Sequence, residues 1–286
     1  DMEILAHSPL RCVYFNEAIG SNAEAIDFLY ANVLERLNNA KNLKSPTFTP
    51  ALALHSPYSL HPIMAKKLTE LCVNETLPLS AHFLESPQEK QWLTQQDGYF
   101  KGFFKRLANI ENAKPFYTPQ SFLEMLLPLQ NALSLTHCLQ ITQKELELCE
   151  NATLITCPRS NRLLNNAFLP LEILQNHPTA IGTDGKSSNN NVNLLDELRT
   201  ALYAYPQADI VELSKTLLLG ATLYGARALG LNNGILAENK SVDFAIFDFE
   251  KPLFCENQTH LNQAPLHFIL NASSPTHLYI NAKAVI

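Results

Sequence analysis

Three histidines and an aspartate stand where short apolar runs end. His55 follows "ALAL", His82 closes "LSAH", His137 follows "LSLT" and Asp184 follows "AIGT". Imidazole nitrogen and carboxylate oxygen are the donors that a catalytic Zn²⁺ or Fe²⁺ takes. Glu85 comes three positions after His82, where a carboxyl group could move a proton beside an activated water. Taken singly, each histidine reads more readily as hydrogen-bonded structure, Glu85 as a loop acid and Asp184 as an Asx-turn in an Asp-Gly pair. The joint placement is what points to a reaction centre. His7, His61, His177, His260, His267 and His277 have no such placement and read as surface or structural.

These residues need strands that end together. Strands are expected over 10–15, 51–55, 79–83, 133–137, 152–157 and 178–184, alternating with helices. A helix over 21–42 follows Ser21-Asn22, another follows Ser59 with Pro62 in its first turn, and Ser86-Pro87-Gln88-Glu89 reads as a capping box with proline at the first helical position. Further helices are expected from Thr118, from the Thr142–Glu145 capping box, and over 192–203 and 208–229. Such alternation argues for parallel βαβ units and an α/β fold. In a (β/α)8 TIM-type barrel the C-terminal strand ends converge on the catalytic face. A doubly wound sheet would more often carry a Gly-rich phosphate loop, and no GxGxxG or GxxxxGK[ST] occurs. After about residue 231, "NNGILAENKSVDFAIFD", "PLHFILNA" and "LYINAKAVI" read as short β segments. The expected division is a barrel over 1–230 and a small β-sandwich portion over 231–286, with Asn239 in a turn of positive φ.

The 286 residues are 46% hydrophobic and 17% charged, the balance of a globular chain with a real core. A net charge of −6 gives no reason to expect nucleic acid or an anionic membrane as partner. No apolar run reaches the ~18 residues of a membrane span, and no signal peptide is expected. None of the six cysteines forms a CxxC pair, and Cys12, Cys138 and Cys157 read as buried thiols, which favours a reducing cytoplasm.

The ordered set "ALHSPYS" (53–59), "SAHFLES" (80–86), "LSLTHCL" (133–139), "CPRSN" (157–161) and "GTDGKSSNN" (182–190) resembles the aminohydrolase branch of the amidohydrolase superfamily. That branch includes adenosine-type, S-adenosylhomocysteine and guanine deaminases and triazine chlorohydrolases. The tail "GILAENKSVDFAIFD" resembles the family's return into a β-sandwich, with Asn239 and Val242 in place of its usual Gly and Ala. "AHFLES" followed by "CPRSNRLLNN" is most similar to the 6-amino-6-deoxyfutalosine deaminases of menaquinone biosynthesis.

The resemblance implies one divalent metal ion, Zn or Fe, with His82 and Asp184 as ligands. It implies that Glu85 protonates a purine ring nitrogen, that His137 and Asp184 stabilise the adduct, and that His55 contacts the substrate. The implied partner is a small purine nucleoside, and a homodimer is a family expectation. A benzoate-bearing substrate needs a cation, for which Arg159 is the candidate. The family's HxH ligand pair is absent from the chain. The resemblance implies that it precedes Asp1 together with the first strands, so this chain alone is expected to be inactive. The competing readings are another purine deaminase, a chlorohydrolase or amidase on the same scaffold, and a non-catalytic homologue.

Overall fold

The computed structural model describes residues 1–108, 113–129, 132–249 and 258–286. The chain divides into two compact units, Asp1–Ala152 and Thr153–Ile286.

The first unit is built on four parallel strands: β1 (Cys12–Ala18), β2 (Phe48–Leu54), β3 (Leu79–Phe83) and β4 (Leu133–His137). They pair in chain order, β1 with β2, β2 with β3 and β3 with β4. Helices connect them, as parallel pairing demands. Val33 and Leu37 of the helix Ile26–Asn42, Met64 and Leu68 of Pro62–Glu75, Trp92 of Pro87–Gln95 and Phe122 of Pro119–Leu126 are buried. So are Phe48, Leu52, Leu54, Leu79 and Leu135 of the strands. Strands buried on both faces read as near-continuous apolar runs, and "FTPALAL" and "LSLTH" do so.

Helix starts follow their caps. Ser86 Oγ accepts from the Glu89 amide at 3.1 Å, and Thr118 Oγ1 from that of Ser121 at 3.1 Å. The Thr142 amide donates to the Glu145 carboxylate at 2.9 Å, completing the expected box. The Ser86 box is only half formed. The Glu89 carboxylate reaches past the cap to the Glu85 amide at 2.8 Å.

The second unit carries the parallel pair β5 (Thr153–Thr156) and β6 (Thr179–Ile181), with the helices Pro158–Asn165, Leu171–Asn176 and Leu194–Ala204. The expected 208–229 helix is two, Ile210–Ala221 and Leu223–Ala228, broken at Thr222 (φ −121°, ψ −87°). Gly220 lies where a Cβ would stand 2.8 Å from the Thr179 carbonyl, so only glycine lets this helix lie so close to β6.

Three short antiparallel strands, β7 (Phe244–Ile246), β8 (His277–Ile280) and β9 (Lys283–Ala284), form the C-terminal β portion. Asn239 has φ 62°, as its turn position suggested. "PLHFILNA" is not a β segment; it lies in the helix Gln258–Asn271, with Pro265 inside it. The Arg199 guanidinium donates to the Ile269 carbonyl at 2.9 Å and also to that of Ala272. Those bonds tie down the end of that helix, where carbonyls lack intrahelical partners.

Cys72, Cys138, Cys149 and Cys157 are buried free thiols. Cys12 is half-buried rather than buried, and Cys255 lies outside the described residues. No helix among the described residues is long and apolar enough to cross a membrane.

Candidate active site

The strands of the first unit deliver their polar residues to one end. Beyond β2, the His55 amide donates to the Ala18 carbonyl at 2.9 Å, and the His82 amide donates to the His55 carbonyl at 3.1 Å. The ladder thus carries His55 and His82 side by side on adjacent strands. Phe83 pairs with His137 across β3 and β4. The imidazoles form a row, His55 to His82 and His82 to His137, with ring centroids 5.4 Å apart at each step.

Each ring has a defined anchor. His82 Nδ1–H donates to the His55 carbonyl at 2.7 Å. A carbonyl can only accept, so Nδ1 carries hydrogen and Nε2 of the neutral ring keeps its lone pair. His55 Nδ1 lies 2.7 Å from Ser59 Oγ and 3.2 Å from Ser56 Oγ. Burial holds the His55 pKa below its ordinary value, against the pull of the nearby Glu17 carboxylate. His137 is 2% exposed, and its Nε2 stands 3.9 Å from Glu85 Oε2.

Glu17 completes the cluster. Donor atoms of Glu17, His55 and His82 all lie within 4.8 Å of one another. Two imidazoles and a carboxylate are a donor set that fits a divalent cation. The Glu17 carboxylate accepts no hydrogen bond among the described residues. Beside these groups stands an aromatic wall. Tyr58 meets His55 edge-on at 5.9 Å and Phe100 at 4.4 Å, and Trp92 lies 6.5 Å from Phe100. An apolar wall next to a few directed polar groups is what an aromatic ligand needs.

In the second unit Asp184 follows β6 with φ 58°. One carboxylate oxygen accepts from Ser160 Oγ at 2.5 Å and Ser188 Oγ at 2.8 Å, and the other from the Gly185 amide at 2.7 Å. Arg159 is held within the same unit. Its Nε donates to Glu197 at 2.8 Å, one terminal nitrogen to Asp196 at 3.4 Å, and the other to the Asn191 carbonyl at 2.9 Å and to Asn189. The geometry thus gives the expected carboxylate-binding role of Arg159 no support. Glu197 is 0% exposed, and Arg159 is its countercharge. An Arg159→Ala variant is therefore expected to lose about 3 kcal/mol of stability, because a buried carboxylate is left without its partner. Its KM for a carboxylate-bearing substrate should stay unchanged. Denaturation midpoint and steady-state kinetics check the two halves separately.

Residues 11–285 match the family model described as "Amidohydrolase family". The chain belongs to the amidohydrolase family. Its six parallel strands, with the helices between them, are those of the family's (β/α)8 barrel. Among curated amidohydrolase relatives, the aminodeoxyfutalosine deaminase of a Nitratiruptor species is 37% identical over 285 residues, covering 99% of this chain and 68% of that protein. The adenosine deaminase of Helicobacter pylori is 34% identical over 294 residues, covering 100% of this chain and 69% of that protein. Among solved amidohydrolase structures, H. pylori aminofutalosine deaminase with methylthio-coformycin superposes with a TM-score of 0.89. It is 34% identical, with 99% of this chain and 69% of that chain covered.

For an amidohydrolase, the sequence pointed to His55, His82, Glu85 and His137, and the first unit brings these four to one strand end. Asp184 takes the corresponding place after β6. Glu17 was missed. Its signal was the same as that of the histidines, a polar residue at the end of an apolar run, "VYFNEA".

Proposed function

We propose that this chain serves a metal-dependent hydrolytic deaminase of an adenine-type nucleoside, 6-amino-6-deoxyfutalosine, in menaquinone biosynthesis. The observation that carries the reading is the Glu85–His137 pair at 3.9 Å beside His82, an acid and imidazoles at the ends of adjacent strands. Deamination of a purine needs a group that protonates the ring nitrogen next to the amine-bearing carbon. A simple amide substrate has no such ring nitrogen, so the pair favours an aza-aromatic substrate. The names of the Nitratiruptor and Helicobacter relatives support the nucleoside class.

A divalent cation held here, Zn²⁺ or Fe²⁺, would supply water activation at neutral pH. His82 offers it Nε2, since Nδ1 is committed to the His55 carbonyl. Glu17 and His55 stand within reach of the same space. Asp184 is a ligand by its place in the family motif. Glu85 delivers a proton to the purine ring nitrogen as water adds to the adjacent carbon. His137 hydrogen-bonds the oxygen added at that carbon, and ammonia leaves. His55 contacts the purine, with Tyr58 and Phe100 forming an apolar wall that keeps water from its face. The buried free thiols favour a reducing compartment, the cytoplasm.

The test is ammonia release by the polypeptide that carries this chain, loaded with Zn²⁺ or Fe²⁺. Substrates are 6-amino-6-deoxyfutalosine, adenosine, S-adenosylhomocysteine, methylthioadenosine, guanine and a chlorotriazine. The expected result is the highest kcat/KM for 6-amino-6-deoxyfutalosine. A higher value for another aminopurine moves the substrate within the class. Turnover of the chlorotriazine alone overturns the deaminase reading.

A further inference from the structure

Glu89 is 1% exposed, yet nothing in the chemistry above uses it. It opens the helix Pro87–Gln95 one turn in, and Ser86 Oγ caps its amide at 3.1 Å. The usual partner of such a side chain is the amide of the cap residue. Here the carboxylate bypasses Ser86 and accepts from the Glu85 amide at 2.8 Å. Its other oxygen, Oε1, has no hydrogen-bond partner although it is buried. Burial pushes the Glu89 pKa up to about 7. A buried carboxylate with an unpartnered oxygen is costly, and an apolar residue would fill the space without that cost.

The backbone it holds is unusual. Leu84 has φ 48°, in the left-handed region that a leucine rarely adopts. The chain must turn there to leave β3 and aim the Glu85 side chain back towards His137. The Gln140 amide, donating to the Leu84 carbonyl at 3.0 Å, pins the other side of the same peptide group. Lys90 Nζ in turn donates to the Gln140 carbonyl at 2.9 Å. Leu84 and Glu85 are thus clamped between the first turn of a helix and the segment after β4.

The geometry points to Glu89 as a positioning residue that fixes Glu85 for proton delivery by binding the Glu85 amide. This rests on the proton-donor reading of Glu85. Glu89 touches no substrate; it acts through the backbone of its neighbour. A misplacement of about 1 Å at a catalytic group costs up to about 10²-fold in rate, so the loss should fall on kcat and leave KM nearly alone.

The experiment is a double-mutant cycle in the metal-loaded polypeptide that carries this chain, reading kcat and KM for aminopurine deamination. Glu89→Asp keeps the carboxyl group but is one methylene too short to reach the Glu85 amide, and should lower kcat about 10- to 100-fold with KM within about twofold. Glu89→Gln keeps an acceptor oxygen and should stay within about threefold of wild type. Added to Glu85→Gln, the Glu89→Asp change should cost little further, because the group it positions can no longer donate. Wild-type kcat in Glu89→Asp overturns the proposal. So does an equal loss whether residue 85 is Glu or Gln, which would mark a purely structural role. Full activity of Glu85→Gln alone is a different failure, since it removes the proton-donor reading itself.

Discussion

A Glu85→Gln variant deaminates its purine substrate with kcat about 10²- to 10⁴-fold lower than wild type, the range that general acid catalysis supplies. Glutamine fills the same volume and still hydrogen-bonds, so KM should move little. What is lost is the proton. The amide cannot give one to the ring nitrogen, and water addition to the adjacent carbon then leaves negative charge on the ring. The backbone around Glu85 is held by the Glu89 carboxylate and by the Leu84 carbonyl's bond to Gln140, so the substitution should not disturb the fold. Equal melting temperatures with unequal kcat is the expected pair of readings. A wild-type kcat would mean that another group near His137 delivers the proton.

A His82→Ala variant should lose both cation and activity. His82 is the middle of the imidazole row, with ring neighbours at 5.4 Å on either side, and its Nε2 lone pair is left open by the Nδ1 bond to His55. A catalytic zinc centre holds its ion through about three protein ligands, so deleting one weakens it steeply. Without the ion the water is far too weak an acid to supply hydroxide at neutral pH, and kcat should fall by on the order of 10³ or more. Metal content after dialysis, measured alongside kcat, checks this. Retained metal with lost activity would restrict His82 to contact with substrate.

The strand-end histidines were legible because apolar runs announce strands, and a polar residue that closes one is conspicuous. The same rule covers Glu17, but its run "CVYFNEA" is interrupted by Asn16, which is itself buried and donates to the Ala51 carbonyl at 3.2 Å. The strand expected over 10–15 therefore stopped short of Asn16, which lies inside β1. The Ser86–Glu89 spacing was legible as a helix start, and the helix does start there. Its second meaning was not, because a capping box is a local pattern and Glu89's reach to Glu85 depends on the backbone turn at Leu84.

The misreading of "PLHFILNA" has a similar cause. Pro265 looked like a boundary and the apolar residues after it like a strand. The helix there is held partly by Arg199, distant in the chain, which binds the carbonyls of Ile269 and Ala272. The bonds of Arg159 were out of sight for want of the same information. An arginine after a strand is a fair candidate for an anionic ligand until its guanidinium is found bonded to Glu197, Asp196 and Asn191.

The left-handed residues at the strand ends, Leu84 at 48°, His137 at 72° and Cys138 at 52°, bear on how such a sequence can change. Residues other than glycine held in this region cost about 1–3 kcal/mol each. Selection for a sturdier fold would favour relaxing them, and drift towards ordinary backbone there would raise stability in small steps. Each such step would also swing Glu85 or His137 away from the other. The chain is therefore least free to improve its stability at the turns that aim its chemistry, and lineages that kept the reaction would have had to gain robustness elsewhere.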